Sequence, residues 1–402
     1  MNIKYYFFGA LLFFVFCHNP IDSSLKKRPQ NPHLTAFKKE YIHQFQTILN
    51  QTNTPGAGLA IVKDTSVIYL SGHGLKAAFS TDSVDINTLF RIGSLSKGFA
   101  AVLAGTLVES GELAWTDKVR KFVPEFVLKD SLQSERVNLI HLLSQSTGLP
   151  YHAYTNLVEA GQDIKTIARA LKKVNLISKE GEIYAYQNAA FSLIGPILEE
   201  VRQQPLETIF NQKLFNPLKI HNASTSYENL IDSDNVALPH RGGGSHWNNR
   251  PISKKYYNAI PAGGINASIA DMAEWLQLLL GNRPEIISQK TLNEIFQPRI
   301  NSRNRNRYFH DWPMVDEAYY GLGWRVLTNP QDTFVYHGGY VNGYRGEILL
   351  FPKEKLGVCV LVNAPSELAN KAIPLFLESY AEKRDSIKQW EKRQSTKTLS
   401  DE

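Results

Sequence analysis

The chain has 402 residues, 43% hydrophobic and 20% charged, with a formal net charge of +6. This is globular usage, which excludes a disordered, collagenous or coiled-coil chain and allows a core that needs no disulfide or metal staple. Only Cys17 and Cys359 are present, so a disulfide framework and a cysteine-based metal site are excluded. The 44 basic against 38 acidic side chains are too dilute a balance to argue for nucleic acid.

Lys4 precedes an unbroken apolar run, Tyr5 to Phe16. That is short of the roughly 20 residues of a spanning helix and has the layout of a secretory signal peptide. Residues 1–24 therefore read as a signal peptide, with an uncleaved membrane segment as the alternative. Cys17 raises a lipoprotein reading, against which stands the bulky Phe16 before it. An exported chain, in the periplasm or cell envelope, is the expectation, with membrane attachment only through this segment. Residues 25–36 are polar and proline-punctuated and read as a linker to a single domain over 37–393. Residues 394–402 read as a flexible tail.

Phe37, Tyr41, Phe45, Ile48 and Leu49 recur at helical spacing, and Pro55-Gly56 ends that helix. Leu59–Val62 and Val67–Leu70 predict a hairpin turning at 63–66. The middle, about 94–300, is mostly helical by periodicity, with Gly- and Asn-rich loops near 240–260. Val335–Tyr336, Glu347–Phe351 and Val358–Val362 predict further strands, with turns at Asn342-Gly343 and Pro352–Lys355. A last helix, from about Ser366 to Arg393, is interrupted at Pro374. Strands at both ends and helices between them predict an α+β fold: one antiparallel sheet flanked by helices, with a mainly helical insertion. Cys359, inside an apolar run, reads as an inert core thiol.

The sharpest chemical feature is FRIGSLSKGF, residues 90–99. Ser94 and Lys97 stand three apart at the first turn of an apolar helix, hence on one face. A helix N-terminus favours developing negative charge on the serine, and burial would let the lysine take its proton. Alone, S-x-x-K is weak: it recurs at Ser23/Lys26 and Ser24/Lys27, and Ser94 is equally a candidate N-cap. Tyr-x-Asn occurs at Tyr154, Tyr186, Tyr227, Tyr256 and Tyr340. Tyr186-Gln187-Asn188, between a glycine turn and a helical run, is the best placed, and Tyr154 is the runner-up.

RIGSLSK closely resembles the nucleophile motif of the serine β-lactamase and penicillin-binding-protein superfamily, in its class C β-lactamase-related branch. Tyr186-x-Asn188 and His337-Gly338-Gly339 then resemble that branch's second and third elements, in the right order. HLLSQSTGLP, PAGGINASIADMAEWL and YGLGW add matching context, and the resemblance runs from about 40 to 380. It implies a β-lactamase/transpeptidase-like fold without cofactor or metal. It further implies an acyl-enzyme on Ser94 and proton traffic shared by Lys97 and Tyr186, with the base left open between them. Asn188 would hold Lys97 and the substrate amide. The oxyanion hole would be the backbone N–H groups of Ser94 and Tyr340. His337 would face Tyr186 and supply a donor or partial positive charge.

The β-lactamases of this branch usually carry Lys-Thr-Gly where this chain has His337-Gly338-Gly339. A cation and a hydroxyl that bind a substrate carboxylate are thus absent, and Arg345 stands as a replacement for the charge or as a strand-edge residue. A peptidase- or esterase-type hydrolase of small-molecule or peptidoglycan-like substrates is therefore expected ahead of a true β-lactamase or a catalytically silent binding protein. Asn266 and Ser268 line the site or hold a loop. His240, His246 and His310 lack ligand spacing, RGGGSH lacks a P-loop ending, and no G-x-S-x-G is present. The basic run at 299–307 reads as a solvated loop.

Overall fold

The computed structural model describes residues 30–244, 246–302, 307–309 and 312–400. The N-terminal apolar run, Cys17, His310 and residues 303–306 of the 299–307 basic run lie outside these. The first helix, α1 (Pro32–Gln51), starts five residues before the expected position. Asn31 caps it through the amides of His33 and Leu34, and Pro32 occupies the first turn, where a missing N–H costs nothing. So 32–36 is helix rather than linker.

An eight-stranded antiparallel sheet forms the centre. Its strands are β1 (Gly56–Lys63), β2 (Ser66–Gly74), β3 (Ile300–Asn301), β4 (Glu317–Tyr320), β5 (Arg325–Thr328), β6 (Thr333–Val341), β7 (Tyr344–Phe351) and β8 (Leu356–Val362). The order is β2-β1-β8-β7-β6-β5-β4-β3, so the N-terminal hairpin closes onto the last strand. Asn342 and Gly343, both at positive φ (46° and 101°), make the two-residue turn that sets the β6–β7 register: Val341 faces Tyr344 and His337 faces Ile348.

β8 shows how the sheet divides the core. Leu356, Val358, Val360 and Val362 join a cluster with Phe37, Tyr41 and Phe45 of α1. Cys359 and Leu361 join the opposite cluster with the helical insertion. The period-2 alternation, apolar on both sides, is that of a strand covered on both faces. The terminal helix, α2 (Glu367–Ser400), continues through Pro374 and past residue 393. Its Leu368, Ala372, Ile373 and Phe376 are clamped on the sheet, and that packing outweighs the lost backbone hydrogen bond.

The insertion between β2 and β3 is mainly helical. Within it the Gly-rich segment expected as a loop forms a small ribbon, His240–Gly243 against His246–Asn249. The helix that follows Ser94 (Ser96–Glu109) is almost wholly buried, and its Phe99 stacks on Trp275 at 3.8 Å. Such a pair adds about 0.5–1.5 kcal/mol beyond area burial. Gly98 lets Trp324 of the 320–324 loop lie directly on that helix, since a Cβ there would overlap the indole. Among the described residues no helix is long and apolar enough to cross a membrane.

Candidate active site

Ser94 lies in a short 3-10 turn, Gly93–Leu95, that runs straight into the Ser96–Glu109 helix. Neither element uses a side-chain cap, so the Ser94 hydroxyl is not an N-cap. Instead Tyr186 donates to Ser94 Oγ at 2.9 Å, and Lys97 Nζ stands 3.4 Å from it. Lys97 reaches this point because three residues carry it close to one helical turn beyond Ser94. Tyr186 and Asn188 both arrive because Gln187 is extended (φ −133°, ψ 106°), which places residues two apart on one side. Tyr154, the other Tyr-x-Asn considered, caps the short helix at 155–159 instead.

Lys97 is completely buried and lies over the rings of Tyr186 and Phe191. Its Nζ donates to Asn188 Oδ1 and to the carbonyl of Ala262, both at 2.8 Å. Burial first, and the Arg325 charge second, hold its pKa well below the ordinary lysine value. In its neutral form, with two hydrogens on those acceptors, the amine would turn its lone pair to the remaining neighbour, Ser94 Oγ. Burial pushes the Tyr186 phenol the other way, up from its ordinary value. Burial thus favours the uncharged form of both groups. Asn188 is itself oriented: its Nδ2 donates to Tyr256, whose hydroxyl donates to Glu159.

The strand β6 runs past the nucleophile. It pairs with β5 only as far as Tyr336, so residues 337–341 keep one edge free of β5. The 92–94 turn packs there. A Cβ on Gly93 (φ 54°) would come within 2.9 Å of the Tyr340 amide nitrogen, and one on Gly339 within 3.2 Å of that of Ser94. Glycine at both positions lets these two backbone segments approach.

His337 departs from the expected role. Its Nδ1 is 2.8 Å from the Gly338 carbonyl, which can only accept, so Nδ1 carries the hydrogen and Nε2 accepts from Tyr320 at 3.0 Å. Burial first, and the Arg325 charge second, hold its pKa well below the ordinary histidine value. It is a neutral, fully committed ring that supplies no positive charge and no free donor. Its ring centroid is 6.5 Å from that of Tyr186.

Arg345 departs too. It pairs with Tyr340 in the β6–β7 ladder, on the sheet face of Glu347 rather than that of His337, and binds Glu347 at 2.6 Å and Asn370 at 3.1 Å. Gly338 shares that far face: a Cβ there would sit 2.5 Å from the Tyr336 hydroxyl, which itself donates to buried Glu347. Neither residue therefore faces Ser94. The cation beside the reactive groups is Arg325, which the sequence reading missed. From β5 it lies 5.8 Å from the Tyr186 ring and 5.9 Å from that of Tyr320. Tyr320 opens the YGLGW segment, which the sequence offered only as context, and Arg325 directly follows it. Asn266 and Ser268 are structural: Asn266 is buried and bonds Tyr257, Ser224 and Ser226, and Ser268 caps the helix at 269–279. Among the described residues no group of three His, Cys, Asp or Glu side chains is arranged to hold a metal ion.

A sheet closed by both chain ends, a helical insertion, and a Ser-Lys-Tyr cluster between them make up an arrangement of the β-lactamase type. The chain belongs to the beta-lactamase family, whose sequence model matches residues 40–378. It is similar to Protein flp of Staphylococcus aureus (strain MRSA252), 26% identical over 81% of this chain and 62% of that protein, and to the Unguisins hydrolase ungD' of Aspergillus campestris, 24% identical over 81% and 61%. The chain thus spans under two thirds of the length of these curated relatives. An octameric penicillin-binding protein homologue from Pyrococcus abyssi superposes with TM-score 0.68 at 27% identity, over 86% of this chain and 77% of that one. EstCE1, described as a hydrolase with promiscuous acyltransferase activity, superposes with TM-score 0.72 at 19% identity over 86% and 98%, a likeness of fold.

Proposed function

We propose that the chain hydrolyses amide or ester carbonyls through an acyl-enzyme on Ser94, as a peptidase- or esterase-type enzyme. The observation that carries this is the hydrogen-bonded set on Ser94 Oγ, with a desolvated Lys97 whose two other contacts are both acceptors. Lys97 takes the Ser94 proton as Oγ attacks the carbonyl carbon. The negative charge that forms on the carbonyl oxygen is met by the amides of Ser94 and Tyr340. Collapse breaks the bond to the leaving group, which takes a proton through Tyr186, itself resupplied from Lys97. Water attacks the ester by the same route in reverse and frees Ser94.

A β-lactamase ranks second. The position of the usual threonine is Gly338, which faces the Tyr336–Glu347 pair, and His337 is neutral. Arg325 supplies the fixed cation on the Tyr186 side. The hydrogen bonds that join Tyr186 and Lys97 to Ser94 Oγ count against a silent binding protein. Export through the Lys4–Phe16 segment belongs to the same proposal and is tested by N-terminal sequencing of secreted protein. The hydrolytic reading is tested by turnover of p-nitrophenyl acetate. Wild type should release nitrophenol, and Ser94→Ala should not; equal rates in both would refute it.

A further inference from the structure

Tyr340 also lines a groove of about 520 Å³, whose other walls include Arg241, Arg250, Lys255, Asn342 and Gly343. Three of its lining residues are cations, and no carboxylate lines it. Among the described residues neither Arg241 nor Arg250 is ion-paired, whereas Lys255 pairs with Glu159 at 2.9 Å and the adjacent Lys254 with Glu228 at 3.2 Å. A fourth cation stands behind the wall. Arg91 is fully buried and donates to the carbonyls of Ser253 (2.8 Å) and Lys255 (2.6 Å), with no carboxylate as a partner. Its guanidinium lies 4.4 Å from the Tyr257 ring. A buried charge without a counter-ion adds a lasting positive field to the surface it backs. His240, at the groove's edge, takes no part: Nδ1 meets the Asn363 carbonyl and Nε2 accepts from the Ala78 amide.

The groove has a defined relation to the nucleophile. Tyr186, the proton donor to the leaving group, lies at the His337 end of β6, beside Tyr320 and Arg325. The leaving group therefore departs on that side. The acyl part extends the other way along β6, past the 60%-exposed Tyr340, to the turn at Asn342-Gly343 and the cationic groove. We propose that the groove binds an anionic group, a carboxylate or a phosphate-type terminus, at the far end of the acyl part of the substrate. This rests on acylation at Ser94 and adds the substrate class to it.

The test uses p-nitrophenyl esters of dicarboxylic acids such as adipic acid. Each is compared with its neutral methyl ester and with a counterpart ending in phosphonate, on the full chain. Wild type should favour an anionic ester over the neutral one by about 10-fold or more in kcat/KM, and added salt should weaken the preference. The double variant Arg241→Gln, Arg250→Gln should bring the ratio to near one, and the Lys, Lys double variant should keep it. Preference for the phosphonate or for the carboxylate identifies the anion. No anionic preference in wild type, or one that survives the Gln substitutions, overturns the proposal while leaving Ser94 chemistry intact. If no ester is turned over, the Ser94 reading fails instead. Calorimetric binding of the same esters to Ser94→Ala then decides the groove, with equal affinity for anionic and neutral forms overturning it.

Discussion

Asn188→Asp tests the assignment of the base with almost no change of shape. Asn188 Oδ1 accepts from Lys97 Nζ at 2.8 Å inside a fully buried site. A carboxylate there would favour the protonated lysine by about 6 kcal/mol at an effective dielectric of about 20. That is enough to keep Lys97 charged at neutral pH and remove its lone pair from Ser94. General-base assistance is worth roughly 10²–10⁴-fold, so acylation should fall by about that factor. Stopped-flow release of nitrophenol from p-nitrophenyl acetate measures the acylation step across pH. The residual rate should climb toward the alkaline end as the lysine loses its proton. A variant that acylates within a few-fold of wild type at neutral pH would refute Lys97 as the base and leave the role to Tyr186.

Other perturbations have equally definite outcomes. Arg325→Met removes one of the two influences that lower the Lys97 pKa, so the acid limb of kcat/KM should move to higher pH; a limb that stays put contradicts the electrostatic link. Tyr186→Phe should cut turnover by about 10²-fold or more while leaving a slower Ser94 adduct, read by mass. Gly98→Ala drives a methyl into the Trp324 indole and should cost about 1–3 kcal/mol in urea unfolding. Gly338→Thr, the change that would restore the usual hydroxyl, should instead disrupt the Tyr336–Glu347 pair and lower the melting temperature without increasing penicillin acylation.

What the sequence disclosed depended on how local the geometry is. Ser94 with Lys97, and Tyr186 with Asn188, are set by spacings of three in a helix and two in an extended segment, so each pair was legible locally, while the meeting of the two pairs was legible only through the family resemblance. Arg325 and Tyr320 reach the site only through the β5–β6 pairing, which no local pattern announces. The Ala262 carbonyl that holds Lys97 is backbone and carries no side-chain signal. Arg345 is different, because its placement was available. Asn342-Gly343 is a two-residue turn, and counting back from it pairs Val341 with Tyr344 and Gly338 with Glu347. That register puts Arg345 and Gly338 on one face and His337 on the other. Asn31-Pro32 was likewise a readable helix start. Continuation of α2 through Pro374 was not, since sheet packing rather than propensity sustains it.

Every functional role proposed for the site requires a covalent acyl-enzyme on Ser94. The most direct test is intact-protein mass after incubation with a penicillin and, in parallel, an activated ester, for wild type and Ser94→Ala. Wild type should gain the mass of the acyl group from the ester more readily than from the penicillin, peptide mapping should place it on Ser94, and the variant should gain nothing. An adduct that persists in Ser94→Ala, or a wild-type chain that remains unmodified by every acyl donor, would contradict it.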